Sequence, residues 1–266
     1  MDASASFRQR LRARQVLFGT FFKTPSHQLV EVLGGAGLDF IVIDAEHAPF
    51  DRAALDACLL AARAGRLPAL VRVPADAHAL NAQALNALDL GATGIVAPHA
   101  RRAADVQAVA AAVRYRGGAR GFSNSPRAGD YGRIGMREHI DRADRDSVAI
   151  CQIEDREAIE DIEAIAALDG ADCLFIGRAD LAVSYGVDDV AHPLVRAAVE
   201  AVCAAARRHG RAVGIHIGHA DEARDWHALG VSLFVVGSDQ SLLRAAAAGL
   251  RRPLQTYQTN DSKETS

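Results

Sequence analysis

The chain has 266 residues, of which 50% are apolar and 24% charged, so it is long enough to form one large core. Its net charge of −3 and isoelectric point near 6.4 argue against nucleic acid or an anionic membrane surface as a partner. The sequence has no apolar run long enough to cross a bilayer, and residues 1–15 lack the apolar core of a signal peptide. The four cysteines are dispersed, as is typical of buried thiols in a reducing compartment, so we expect a soluble cytoplasmic protein.

Short apolar runs alternate with Ala-rich segments of helical period along nearly the whole chain. In chain order, the predicted strands are 17–22, 40–45, 69–73, 94–98, 149–154, 173–177, 213–217 and 233–238. Between strands, the spacing of Val106, Val109 and Val113 is typical of an amphipathic helix. Strand–helix alternation, with strands too apolar to face water, predicts a closed (β/α)8 TIM barrel.

An open doubly wound sheet is the alternative fold, but no Gly-x-Gly-x-x-Gly follows any predicted strand. We expect a single barrel domain over residues 1–254 and a polar, disordered tail over 255–266. The connections 114–147 and 178–193 are long for a compact domain, which is typical of functional loops. We interpret the arginines of 114–133 as subunit contacts or as part of a lid.

Polar side chains gather where the predicted strands end, which is the end of a barrel that carries active sites. They are Asp44, Glu46 and His47 at the second strand, Arg72 at the third, Gln152 and Glu154 at the fifth, Asp180 after the sixth, His216 at the seventh, and Ser238 and Asp239 at the eighth. The opposite ends of the same strands carry apolar or small residues. This distribution predicts one site at the rim of the barrel.

Glu154 and Asp180 follow consecutive strands, and neighbouring strands lie roughly 4.8 Å apart. Two carboxylates at that spacing repel each other unless a cation lies between them. A hard divalent ion such as Mg²⁺ accepts two protein oxygens and completes its shell with water and substrate. In the alternative interpretation each carboxylate caps a helix or pairs with an arginine. Zinc at His216, His219 and His227 is a weaker alternative, because no cysteine or third close-spaced ligand supports it.

His47 is a candidate general base if Asp44 holds one ring nitrogen and leaves the other free near neutral pH. Its alternative is a rim residue without a catalytic role. Arg72 stands in an otherwise apolar strand, so its guanidinium must reach the barrel mouth, where a bidentate grip on a substrate carboxylate fits. A structural pair with Glu46 is the alternative for Arg72.

Several ordered motifs resemble those of the metal-dependent (class II) pyruvate aldolases of the HpcH/HpaI type. They are IDAEHAPFD, VRVP, RYRGGARGFS followed by RAGDYG, QIEDREAIEDI and LFIGRADLAVSYG. That family includes the 4-hydroxy-2-oxoheptanedioate and 2-dehydro-3-deoxyglucarate aldolases. The similarity extends over roughly residues 15–250. The sequence departs from the family pattern at Arg178, where many members have proline, and at His99, which replaces an apolar or amide residue.

The resemblance implies a (β/α)8 barrel that assembles as a homohexamer, a trimer of dimers, with its last helix exchanged between partners. It implies a divalent Mg²⁺, Mn²⁺ or Co²⁺ ion and neither pyridoxal phosphate nor a nucleotide as cofactor. The implied site residues are Glu154 and Asp180 as metal ligands, His47 as base supported by Asp44, Arg72 and Gln152 beside the pyruvyl group, and the Gly177, Arg178 and Ala179 backbone at its carboxylate.

The implied reaction is reversible cleavage of a 4-hydroxy-2-oxo acid into an aldehyde and pyruvate, or an analogue such as hydroxypyruvate, through a metal-stabilised enolate. A Schiff-base lysine is not expected, because Lys263 falls in the polar tail and Lys23 reaches the rim at best. The alternatives are a lyase of the citrate- or malyl-CoA type and a non-catalytic barrel that binds a small acid. The expected partners are therefore small molecules and other copies of this chain.

Overall fold

Strands and helices alternate throughout the computed structural model, which describes residues 6–76 and 78–261. The strands are β1 (Leu17–Phe22), β2 (Phe40–Asp44), β3 (Ala69–Arg72), β4 (Gly94–Ala97), β5 (Val148–Ile153), β6 (Cys173–Ile176), β7 (Ala212–Ile217) and β8 (Leu233–Ser238). The helices are α1 (Phe7–Arg12), α2 (His27–Gly34), α3 (Arg52–Ala64), α4 (Leu80–Asp89), α5 (Ala103–Val113), α6 (Met136–Asp146), α7 (Arg156–Glu160), α8 (Ile162–Ala167), α9 (Arg178–Ser184), α10 (Pro193–Arg208), α11 (Ala223–Ala228) and α12 (Asp239–Asp261), with 3₁₀ turns at Arg127–Gly132 and Ala220–Glu222.

Neighbouring strands all pair in parallel, and β1 pairs with both β2 and β8, so the sheet closes on itself as β1 to β8 in chain order. This confirms the predicted TIM barrel. The strand boundaries agree with the predicted ones to within one residue. The register between β2 and β3 places Asp44 opposite Arg72. The polar residues that end these strands are therefore brought together by strand pairing itself.

Apolar side chains cover both faces of the sheet. Val42 and Leu70 point into the barrel, where they pack with Phe21 and Phe175. The next residues along each strand point outwards and pack against the helices, since side chains alternate across a strand. Burial on both faces explains why each strand reads as a continuous apolar run. Truncation of a fully buried residue such as Leu70 to alanine typically costs about 2–5 kcal/mol.

The long 114–147 connection lies at the amino-terminal end of the barrel, because it joins the end of α5 to the start of β5. The Arg114 guanidinium donates to the carbonyl oxygen of Ser147, at 2.8 Å, and thereby fixes the segment there. The segment contains a 3₁₀ turn, Arg127–Gly132, and helix α6. The polar strand ends lie at the opposite end of the barrel. The interpretation of this loop as a lid over its own barrel mouth is therefore wrong.

The second long connection, 178–193, begins with helix α9 and lies at the barrel mouth directly after β6. At the other end of the chain, α12 continues without a break to Asp261. The domain boundary at residue 254 and the disordered tail stay predictions, and residues 262–266 lie outside the described part of the chain. Within the described ranges, no helix combines the length and apolarity needed to cross a membrane.

Candidate active site

Arg72 and Asp44 form a buried ion pair at the mouth of the barrel. Arg72 donates from Nε to Asp44 Oδ1 at 3.0 Å and from Nη2 to Asp44 Oδ2 at 2.7 Å. Its remaining nitrogen, Nη1, lies 3.4 Å from Glu46 Oε2, so the pairing with Glu46 is also present. The guanidinium is 4.8 Å from the centre of the Phe21 ring, which lies beneath it. The two carboxylates and the ring hold the orientation of Arg72.

The environment of Asp44 keeps its carboxylate charged. Burial would raise the pKa of Asp44, but hydrogen bonds and charge from Arg72, the backbone N–H of His47 and the Lys23 ammonium together hold it below its ordinary value. Lys23 Nζ lies 3.4 Å from Asp44 Oδ2. Lys23 therefore belongs to this polar cluster.

The predicted contact between Asp44 and the His47 ring is wrong. Asp44 Oδ1 instead accepts a hydrogen bond from the backbone N–H of His47, at 3.1 Å. The imidazole lies 3.6 Å from Glu46 Oε2, and the His47 side chain is 62% exposed. Asp44 thus orients the turn that carries His47, while Glu46 is the carboxylate nearest to its ring. The ring is accessible to solvent.

Glu154 is a buried carboxylate at the end of β5, and both of its oxygens are held. Oε1 accepts a hydrogen bond from the backbone N–H of His99 at 2.9 Å, and Oε2 accepts one from the side-chain amide of Gln152. Burial, together with the charge of Asp180, raises the pKa of Glu154 to about 7, although the His99 and Gln152 contacts oppose the shift. Asp180, the second predicted metal ligand, lines the same cavity as Glu154.

Asp180 lies in the first turn of α9, and within the described residues its carboxylate caps no helix and pairs with no arginine. The capping and pairing alternatives therefore find no support at this residue. Both carboxylates line a cavity of about 840 Å³ at the barrel mouth. Nowhere in the described ranges do three His, Cys, Asp or Glu side chains form a cluster suited to a metal, so the zinc alternative gains no support either.

The residues present fit a hard divalent cation. A buried carboxylate beside a second carboxylate is destabilised by desolvation and repulsion, and a cation removes both effects. The Oε1 atom of Gln152 is buried beside them and has no hydrogen-bond partner. The two carboxylates and this unpartnered oxygen form an oxygen-only donor set, which is the set that Mg²⁺ and Mn²⁺ prefer.

Gly177 lets the backbone pass against these side chains. A Cβ atom at this position would lie 2.8 Å from Glu154 Oε2 and 3.1 Å from Gln152 Nε2. The following residues, Arg178 and Ala179, begin α9, so their backbone amides are among those that a helix leaves without an internal partner. Because Gly177 has no side chain, a ligand can reach the backbone amides in the first turn of α9.

The Arg178 side chain turns away from Glu154 and Asp180. Its Nη2 donates to the carbonyl oxygen of His216 at 3.1 Å and to Glu222 at 2.8 Å, and its guanidinium lies 5.1 Å from the Trp226 ring centre. Only the backbone of Arg178 therefore faces the ligand position predicted for it.

His99 and Asp155 belong to the site, although the sequence suggested only that His99 lies near the mouth. His99 adopts a left-handed backbone conformation (φ 53°), which directs its N–H to Glu154. Its Nδ1 lies 2.9 Å from Asp155 Oδ2, and Arg101 pairs with the same carboxylate at 3.1 Å. The sequence does carry a signal for Asp155, because this second carboxylate directly follows Glu154. Its partners, His99 and Arg101, could not be predicted from sequence because they lie after β4.

The family model described as HpcH/HpaI aldolase/citrate lyase matches residues 17–246. The chain belongs to this family. The predicted family resemblance is thereby confirmed, and the match spans the whole barrel from β1 to the first turns of α12.

Relatives within the family are similar over nearly their full length. A 5-keto-4-deoxy-D-glucarate aldolase of Klebsiella pneumoniae is 32% identical over 246 residues, which cover 92% of this chain and 94% of the relative. The structure of a family protein from Burkholderia cenocepacia has 35% identity and a TM-score of 0.85, covering 92% and 97% of the two chains. The citrate synthase SbnG has 27% identity and a TM-score of 0.84, covering 95% and 99%. The family and these relatives identify the chain as a carbon–carbon lyase of the aldolase type.

Proposed function

We propose that the protein is a divalent-metal-dependent aldolase that reversibly cleaves 4-hydroxy-2-oxo acids into pyruvate, or a close analogue such as hydroxypyruvate, and an aldehyde. The observation that carries the proposal is that two carboxylates, buried Glu154 and exposed Asp180, line one cavity at the same barrel end as the Arg72–Asp44 pair. Glu154 and Asp180 suit a cation, whereas Arg72, held by Asp44, presents a fixed positive charge to an oxyanion. A metal-assisted aldol reaction needs both.

Glu154 and Asp180 would hold the cation. When bound, Mg²⁺, Mn²⁺ or Co²⁺ would act as a Lewis acid toward the keto oxygen of the pyruvyl group. The protein then has to orient the pyruvyl group and stabilise the charge that develops on it. The free backbone amides of Arg178 and Ala179 suit the substrate carboxylate, as helix N-termini generally do.

Arg72 would stabilise negative charge on the substrate during the reaction. Because Asp44 and Glu46 already fix the guanidinium, it would change position little when charge develops beside it. Gln152, in β5, would contribute a polar contact to the pyruvyl group. His47, exposed and beside Glu46, would accept the proton of the substrate 4-hydroxyl during cleavage and return it during condensation.

Assembly, metal identity and cellular location extend the same proposal. Three leucines on α12 are strongly exposed, Leu242 at 47%, Leu243 at 67% and Leu250 at 74%. Apolar side chains exposed on one terminal helix are typical of a protein–protein contact. They support a homo-oligomer, for which the hexamer is our proposal. We further propose a cytoplasmic enzyme that acts on small molecules, without nucleic acid or membrane partners.

A citrate-type carbon–carbon bond reaction is the second candidate. The family description includes citrate lyase, and the solved SbnG structure is described as a citrate synthase. A substrate of that kind carries more carboxylates than pyruvate, and the 840 Å³ cavity also carries Arg101 and Arg102. The same cavity is lined by several carboxylates besides Glu154 and Asp180, which disfavours a polyanion. The aldolase reaction is therefore the better-supported candidate.

The deciding experiment follows hydrogen exchange at C3 of pyruvate in D₂O by NMR, with and without Mn²⁺. An aldolase should catalyse metal-dependent exchange without any aldehyde, because proton removal precedes bond formation. Condensation of pyruvate with a panel of aldehydes, compared with condensation of acetyl-CoA with oxaloacetate, then separates the two candidates. Absence of exchange would overturn the aldolase proposal and favour a non-catalytic barrel, whereas condensation of acetyl-CoA with oxaloacetate alone would favour the citrate-type reaction.

A further inference from the structure

A second polar cavity lies at the amino-terminal end of the barrel, away from Glu154 and Asp180. Its volume is about 350 Å³. It lies beneath the starts of β4 and β5 and is bounded by α6 and the 120–128 segment. The charged and titratable side chains that line it are Arg63, Arg120, Arg127, Arg142, His139 and Asp146. The proposed aldolase reaction uses none of them.

Two buried arginine nitrogens around this cavity, Arg120 Nε and Arg127 Nε, have no hydrogen-bond partner among the described residues. Both arginines are 7% exposed. Buried donors without partners are rare in folded proteins and usually indicate a bound molecule or ion. Two of them around one cavity indicate a shared ligand that accepts hydrogen bonds.

The arginines are fixed by contacts made through their terminal nitrogens. Arg120 Nη2 pairs with Asp89 at 3.1 Å, and Arg127 Nη2 pairs with Asp56 at 2.7 Å. These contacts leave the Nε–H groups unused. The remaining lining arginines, Arg63 and Arg142, donate to the carbonyl oxygens of residues 127 and 128.

More cationic than anionic side chains line the cavity. Asp146, the one carboxylate among its described lining residues, already pairs with Arg145 at 2.8 Å. Burial and the charges of Arg120 and Arg142 lower the pKa of His139, as expected beside cations. The Nε2 atom of His139 lies 3.0 Å from the Tyr115 hydroxyl.

We propose that this cavity is a binding site for a small oxyanion, held by Arg120 Nε and Arg127 Nε. The ligand chemistry is that of phosphate or of a compact carboxylate, since both accept several N–H donors at once. The site lies at the opposite end of the barrel from the metal-ligand pair. It would bind its anion whether or not the aldolase proposal is correct.

The test is calorimetric titration of the metal-free protein, in the presence of chelator, with inorganic phosphate and separately with malonate at constant ionic strength. We expect one saturable site per chain for one of these anions, and the two titrations distinguish phosphate from carboxylate. At a hundred times Kd, that anion should raise Tm by roughly 5–10 °C over chloride. Chloride controls for general salt effects.

The variants Arg120→Lys and Arg127→Lys keep a positive charge beside Asp89 and Asp56 but remove the Nε donor. Each variant should weaken anion binding at least tenfold. Circular dichroism will show whether each variant folds, and the second variant provides the test if the first does not. Arg137→Lys, with a side chain that is 93% exposed, should retain full affinity. Arg72→Met should also retain it, which separates this site from the barrel mouth. Unchanged affinity in both lysine variants, loss in Arg72→Met, or no saturable heat would overturn the proposal.

Discussion

Arg72 donates two hydrogen bonds to Asp44 from the neighbouring strand, and both side chains are almost completely buried. The pair forms because the parallel register of β2 and β3 places these residues opposite each other. Removal of one partner leaves a buried charge unpaired, which typically costs about 3–5 kcal/mol. The pair therefore links the stability of the barrel to the arrangement of its mouth.

We expect Asp44 to make stability depend on pH in acid. Its folded-state pKa lies below the ordinary value of 3.8, so its contribution is complete above pH 3.8 and is lost as pH falls through the folded-state pKa. The Asp44→Asn variant should be less stable near pH 7 and should lose less stability between pH 5 and pH 2. Urea unfolding across this range measures the difference. The exposed Asp188→Asn variant should follow the wild type; an Asp44→Asn curve parallel to the wild type would contradict the assignment.

Arg72→Lys should not preserve activity, although it preserves charge. Lysine lacks the planar fork that contacts Asp44 with two nitrogens and Glu46 with the third. We expect turnover to fall roughly a hundredfold or more, the scale of a lost oxyanion donor. Steady-state aldol cleavage measures it, with the exposed Arg137→Lys as control. Near-normal turnover would return Arg72 to a purely structural role.

Glu154→Gln and Asp180→Asn should each weaken Mn²⁺ binding by more than about a hundredfold, because loss of a ligand exceeds the tenfold to hundredfold effect of an outer contact. Both changes keep the side-chain shape, so the fold should persist. Electron paramagnetic resonance of Mn²⁺ gives the affinity. Glu157→Gln, at an exposed residue lining the same cavity, is the matched control. Wild-type affinity in either ligand variant would refute the metal site.

His47→Ala should separate the proton-transfer step from ligand binding. The ring is exposed and contacts Glu46, not Glu154 or Asp180, so Mn²⁺ affinity and pyruvate binding should remain. Carbon–carbon bond cleavage should slow about 10²–10⁴-fold, the range of a lost general base. Single-turnover cleavage and Mn²⁺ titration provide the two measurements. Loss of Mn²⁺ binding in this variant would make His47 a ligand instead of a base.

Chelator and borohydride together decide between a metal and a lysine. Lys23 is the one lysine among the described residues, so a Schiff base would have to form at its Nζ, which lies 3.4 Å from Asp44 Oδ2. Excess chelator should abolish activity, and Mg²⁺, Mn²⁺ or Co²⁺ should restore it. Borohydride with pyruvate should leave the mass of the protein unchanged. A pyruvyl adduct on Lys23 or full activity in chelator would establish the lysine route.

The strands were predictable from sequence because burial on both faces makes each one a continuous apolar run. Strand β1, for example, is the predicted 17–22 segment and is observed as Leu17–Phe22. The gathering of Glu154 and Asp180 at the barrel mouth followed from the same fold rule, since both residues follow strands.

Side-chain partners were not predictable, because they depend on register and backbone conformation. Asp44 is three residues from His47 in sequence, yet the register of β2 and β3 gives it Arg72. The left-handed turn at His99 has no sequence signature such as glycine. The position of the 114–147 segment was predictable in principle, because a helix-to-strand connection in a barrel lies opposite the mouth.

Gly177 has a consequence for how this sequence can change over evolutionary time. Its φ of −96° suits any residue, so conformation alone would permit alanine there. Space forbids it, because a methyl group would lie 2.8 Å from Glu154 Oε2 and 3.1 Å from Gln152 Nε2. A side chain at residue 177 would therefore displace Glu154 and Gln152 from their present positions. In a library selected for activity, residue 177 should stay glycine, and change at residue 154 should not restore tolerance, because Glu154 is a proposed metal ligand.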